Sequence, residues 1–197
     1  MNFATLTLTS DEPDYLAKSV QKIKTQLSCD VLLEKSKNLS DAHLLDLLNS
    51  IETQSRILDW LATASFSAHL YFSSQSELVP MSEWSEAKKI SEFLMIPLVH
   101  RFSDKSISVV NLSSNVPKVD KFVRSVVNYV EANYHRNISI PVTSTRWRNP
   151  DKSLLELAEL VLNCCLAYLA KPEESTTRAI FAHVRTRLKY ATNVGTG

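Results

Sequence analysis

Residues 153–170, SLLELAELVLNCCLAYLA, limit most what this chain can fold into. Wound as a helix, the segment is apolar almost all round, with Glu156, Glu159 and Asn163 as its polar exceptions. Such a helix needs neighbours on several sides, which places it at the centre of a helical domain. Its most apolar part, LVLNCCLAYLA at 160–170, is shorter than the roughly 18–20 residues that span a bilayer, so no membrane is expected. Ser153 and Glu156 have capping-box spacing: a Ser hydroxyl accepts from the third backbone N–H, and a Glu reaches back to the first. A charge at Leu160 or Leu162 is expected to abolish folding.

The rest of the chain narrows the class further. A length of 197 residues, 44% of them hydrophobic, suffices for one sizeable core or two small ones. The net charge of +1 argues against a whole-protein electrostatic hold on nucleic acid or membrane. Gly195 and Gly197 are the only glycines, so no internal loop can cradle phosphates as P-loops and dinucleotide fingerprints do. The start MNFATLTLTSDEP lacks a basic stretch followed by an apolar one, and no secretory leader is expected. Cys29, Cys164 and Cys165 form no CxxC pair or disulfide framework, which suits a reducing, cytoplasmic setting. The adjacent pair reads as small buried hydrophobes. His43, His69, His100, His135 and His183 stand singly, without the spacing of metal ligands.

Along the chain, FATLTLT alternates as a strand does, and Asp11 with Pro13 reads as a helix start. Leu16, Val20, Ile23 and Leu27 then follow at helical spacing, and CDVLLEK returns to a strand-like run. SDAHLLDLLNS suits either a short helix or a hairpin. Ile57, Leu58, Leu61 and Ala64 form one helical face, after which FSSQSEL reads as a linker. From Ser82 onward everything reads helical, interrupted at Pro97, restarted at Pro117 and broken by a polar loop from His135 to Lys152. The last helix runs from about Thr176 to Tyr190, with Ile180, Phe181, Val184 and Leu188 inward and basic residues at its end. The expectation is an α+β, mostly helical chain: a small thioredoxin-like domain over 1–66, a linker over 67–80, and an all-helical domain over 81–197.

Three stretches carry a likeness in that order. ETQSRILDWLA resembles the helix closing the small domain of the glutathione-transferase-like (GST-like) fold, SEWSEAKKISEFLMIPLV the first helix of its second domain, and SLLELAEL its central capped helix. Within that superfamily, MNFATLTLTSDEP, RILDWLATASFSAHLYFSSQSEL and the terminal NVGTG look like the GST-like domain that opens cytosolic glutamyl- and glutamyl-prolyl-tRNA synthetases. The resemblance implies a non-catalytic domain without cofactor or metal. It would dock a synthetase into the multi-synthetase complex by pairing with other GST-like domains, such as those of methionyl-tRNA synthetase and the auxiliary proteins. Were a synthetase body to follow Gly197, the whole would be a glutamate–tRNA ligase. Pairing in that family uses the closing helix and the last helices; carried over, the protein interface comprises Ser55, Arg56, Asp59 and Trp60 on one surface and Arg178 and Arg185 on another.

Two alternatives are weighed against docking. A glutathione transferase needs a thiolate-stabilising residue after the first strand, a role only Ser10 could take; no Pro lies between Pro13 and Pro80 for the cis-Pro device, and Thr53-Gln54 stands where an acid–Ser pair is required. Ser10 is better read as part of the helix start. A tRNA-binding auxiliary factor would use TRWRNP at 145–150 and RTRLK at 185–189, where cations flank an aromatic or a helix end.

Overall fold

In the computed structural model, residues 4–30, 39, 41–72, 128–129, 132–133 and 152–193 are described. They form an α+β structure. The elements are β1 (Ala4–Thr9), α1 (Pro13–Ser28), α2 (Leu44–Asn49), α3 (Gln54–Thr63), β2 (Ser67–Phe72), α4 (Lys152–Ala170), α5 (Ser175–Arg185) and β3 (Leu188–Asn193). The strands make one sheet in the order β1-β2-β3. By contacts the chain divides into two units: Leu6–Leu70 with Pro150–Ala191, and Met1–Thr5 with Tyr71–Asn149 and Thr192–Gly197. The second holds few of the described residues; in it, Asn133 Nδ2 donates to the Tyr129 carbonyl at 2.8 Å.

Local signals account for the first unit's elements. α1 starts on Pro13, whose missing N–H costs nothing in a first turn, and Ser10 Oγ accepts the Glu12 N–H at 3.2 Å. Leu16, Val20, Ile23 and Leu27 are buried as their spacing predicts. The open choice at 41–50 resolves as a helix: His43 caps α2, its Nδ1 accepting from the Leu45 N–H at 3.3 Å. Thr53 Oγ1 then donates to the Leu47 carbonyl and Gln54 Nε2 to that of Leu48, tying α2 to α3.

α4 is the hub of this unit and packs against α1, α2 and α5. Ser153, Glu156, Leu157, Leu160, Val161, Cys164 and Cys165 make its buried stripe. The other sides are less covered than all-round apolarity suggests, with Leu154, Leu155, Leu162 and Leu166 half-buried. Measured end to end, α4 has 19 residues and a mean hydropathy of 1.6, long and apolar enough to cross a membrane, where the uninterrupted apolar run alone is not. The core helix of a soluble protein has the same character.

The capping box is not what Ser153 and Glu156 form. α4 begins one residue earlier, and both side chains turn to α1. Gln21 Nε2 donates to Ser153 Oγ, and Lys24 Nζ meets Glu156 Oε2 at 3.0 Å with both side chains buried. Residues three apart on each helix are paired in the same order, so α1 and α4 run the same way at this contact. From α2, His43 Nε2 reaches Glu159 Oε2 at 3.4 Å.

Two further expectations are corrected. Ser67–Phe72, assigned to the linker, is strand β2, its middle four residues buried because alternating Ala68, Leu70 and His69, Tyr71 are covered on both faces. The last helix stops at Arg185, and Leu188–Asn193 is strand β3 rather than helix. The turn is closed by the Arg187 N–H on the Val184 carbonyl at 2.9 Å, and the Arg187 carbonyl accepts from the Ala68 N–H at 2.8 Å. Arg187 and Lys189 therefore leave the helix axis on which they read as dipole partners. The grouping of 150–191 with 6–70 also differs from a division at 66–80. Most of the strand-like run at 29–35, the helices from Ser82 and Pro117, and the Arg-Trp-Arg loop lie outside the described residues.

Removing one member of the buried pair leaves the other charge without compensation. Lys24→Met is expected to cost about 3–5 kcal/mol in urea unfolding, and Lys24→Met with Glu156→Leu much less. Leu160→Asp should abolish folding, whereas Leu162→Asp, at a half-buried position, should leave a folded chain by circular dichroism.

Candidate functional site

α3 lies between α2 and β2 in the chain and packs against α2 and α5. Ile57, Leu61 and the following Ala64 face the core, which leaves Ser55, Asp59 and Ala62 on the outer face at successive turns. α5 is strongly amphipathic: Val184 is buried, while Ile180 and Phe181 are half-buried. The Phe181 ring stacks on Tyr168 of α4 at 4.1 Å between centroids. Its outer face repeats the α3 spacing with Arg178, Ala182 and Arg185, all exposed. Ala62 and Ala182, together with His183, Thr186 and Arg187, line an open groove of about 360 Å³ between the helix ends.

The two surfaces expected to be separate therefore lie on neighbouring helices and share a groove. Not every residue assigned to them is free. Arg56 is ion-paired with Asp30, and the half-buried Trp60 donates its indole N–H to Ser19 Oγ at 2.8 Å. Arg178 donates to the Pro172 and Glu173 carbonyls at 3.3–3.4 Å and so pins the α4–α5 loop. Ser55, Asp59 and Arg185 remain exposed, and among the described residues neither Asp59 nor Arg185 has an ion-pair partner.

The groove residues were missed in the sequence. Ala182 sits midway between two arginines at helical spacing, and that small residue in a charged stripe was the available signal. Arg187 is the least legible of them. Its guanidinium donates to the Ala62 carbonyl, lies 5.9 Å over the Phe66 ring, and keeps a buried Nε without a partner among the described residues.

The positions weighed for glutathione chemistry are occupied by structural bonds. Ser10 Oγ, besides accepting from Glu12, donates to the Ser65 carbonyl at 3.1 Å, as its reading as part of the helix start implies. Thr53 is buried, and with Gln54 it serves the α2–α3 junction. Among the described residues, no three His, Cys, Asp or Glu side chains gather as metal ligands would. Comparison with protein-family models, curated proteins and solved structures finds no match for this chain.

Cys164 and Cys165 are buried on α4, and desolvation pushes each thiol from an ordinary 9.0 up to about 12; at Cys165 the neighbouring Cys164 adds to the rise. Both stay protonated in the folded chain while the unfolded chain loses the protons near pH 9. The stabilisation is whole below that pH and disappears as pH climbs towards 12, by about 1.4 kcal/mol per unit per thiol. Urea midpoints measured from pH 8 to 10.5 should fall accordingly. A thiol reagent at pH 8 should modify the exposed Cys29 at once and the α4 pair only on unfolding.

Proposed function

We propose that this chain is a non-catalytic docking domain of GST-like architecture, with the α3/α5 surface as its contact face. In this reading it joins a glutamyl- or glutamyl-prolyl-tRNA synthetase to other GST-like domains of a multi-synthetase complex in the cytoplasm. The observation that carries the reading is the juxtaposition of the stripes Ser55–Asp59–Ala62 and Arg178–Ala182–Arg185 on packed neighbouring helices. Charged groups select and orient a partner, and the alanines that line the groove admit close approach. The α+β content and the central place of α4 are compatible with that architecture, which the likeness alone suggests.

Arg185 is the more informative position for testing it, because Arg178 also holds a loop. Arg185→Ala should weaken retention of the GST-like domains of methionyl-tRNA synthetase or the auxiliary proteins by about 2–5 kcal/mol if its partner acid is buried on docking. The variant's melting temperature should stay within a degree or two of the parent's, as for a solvated side chain. Undiminished retention would remove α5 from the contact face. Elution of the chain from a glutathione column by free glutathione would favour the transferase reading instead.

A further inference from the structure

The basic run at 185–189 is not the end of one helix, because it crosses from α5 through a turn into β3. From Ser175 to Asn193 the chain carries Arg178, Arg185, Arg187 and Lys189 and no Asp or Glu, a local charge of +4 in a protein whose total is +1. Among the described residues none of the four belongs to an ion pair. Arg178 and Arg187 are bonded, but to backbone carbonyls, which occupy N–H groups without cancelling the charge. Beside the last cation stands Tyr190, 65% exposed, its ring 5.0 Å from that of the buried His69 on β2. β3 is an outer strand of the sheet among the described residues, and its four middle residues, Lys189 to Thr192, are all exposed.

We propose that this turn and strand bind single-stranded nucleic acid. Tyr190 is the platform on which a base stacks, the exposed Arg185 and Lys189 contact phosphates, and Arg187 adds its charge between them. The covalent chain alone keeps Arg187, Lys189 and Tyr190 within about 11 Å of one another, and Arg185 within about 18 Å of Tyr190, at no more than about 3.6 Å per residue. Successive strand residues leave on opposite faces, so Lys189 and Tyr190 flank the edge of β3 rather than share a face. A flexible single strand can follow such an edge, its phosphates meeting the cations while one base turns onto the ring. A duplex keeps its bases stacked inside, away from the ring. An acidic peptide or an anionic lipid surface would use the cations and leave the ring unused. His69 backs the ring on one side, which reduces the rotamer freedom that stacking would otherwise cost. Every base has a π-face, so the class of ligand is single-stranded nucleic acid without a fixed sequence. The inference shares Arg185 with the docking reading and does not rest on it.

Fluorescence anisotropy of the full chain with a labelled oligouridylate of about fifteen nucleotides tests this. Binding at about 50 mM salt should weaken steeply as salt is raised. Tyr190→Ala should weaken it about tenfold, and Tyr190→Phe, which keeps the ring, by no more than about twofold. Lys189→Gln should lower the slope of log K against log salt by about 0.7, the share of one phosphate contact, while Tyr190→Ala leaves that slope unchanged. Neither the slope nor the difference between Ala and Phe would move if these residues were only structural. Both side chains are exposed, and far-UV circular dichroism checks that every variant is folded. An oligothymidylate of the same length separates the two sources of the ligand: equal affinity assigns the site to phosphate and base alone, and tighter RNA adds a 2′-hydroxyl contact. No binding at low salt overturns the proposal. So do equal binding of a duplex of the same length, parent affinity in Tyr190→Ala, and capture by phosphatidylserine vesicles in place of the oligonucleotide. The docking reading fails separately, on retention undiminished by Arg185→Ala. Lys189→Gln and Tyr190→Ala lie off α3 and α5 and should leave that retention intact even where the oligonucleotide is lost.

Discussion

A helix as apolar as α4 can be buried at many rotations about its own axis, since hydrophobic burial has no direction. Its polar side chains select one. Lys24 lies on α1 one residue past Ile23, within the buried stripe, and its ammonium finds in Glu156 the carboxylate that makes burial tolerable. One turn earlier, Gln21 and Ser153 repeat the contact, and from α2 His43 meets Glu159. Any other rotation of α4 would leave Lys24 buried and unpaired, at a cost larger than a leucine contact gains. The pair thus decides which leucines of α4 enter the core, and through α4 where α2 and α5 can rest.

This explains both a success and a failure of the sequence. The Ser-x-x-Glu spacing at 153–156 does lie at the start of α4, yet the side chains are spent on α1 rather than on backbone N–H groups. Capping is a local device and α1 lies far away in sequence, so spacing alone could not separate the two uses. Lys24 was passed over because a lysine on an amphipathic helix is by default solvated, although its phase relative to Val20 and Leu27 placed it inward. Burial along α1 and α3 was legible throughout, since periodicity of 3.6 is a strong signal over three or four turns. β2 was lost to its position after a closed helix, and β3 to a run of cations that fitted a helix end equally well.

The candidate surface was legible in its residues but not in its unity. Ser55, Asp59 and Arg185 came from the resemblance to GST-like domains, and their exposure agrees with the helical phase of Ile57, Leu61 and Val184. That α3 and α5 are neighbours follows only from the path of the chain, which crosses more than a hundred residues between them. Trp60 shows the opposite limit. The resemblance makes it a contact residue, and here its indole N–H is already satisfied by Ser19.

The distance between the two stripes depends on how α5 is held, and little apolar surface holds it. Val184 is its one fully buried side chain, and the stack of Phe181 on Tyr168 fixes it to α4 rather than to α3. Across to α3 runs the side chain of Arg187, bonded to the Ala62 carbonyl at the last turn of α3 and lying over Phe66 just beyond it. A lysine could make one of these contacts as a point charge; the planar fork of arginine makes both at once. The backbone of Arg187 is fixed in turn by its bond to Ala68 of β2. Sheet, helix end and groove are therefore joined at one residue, and a change there would alter the spacing of Ala62 and Ala182 without touching either stripe.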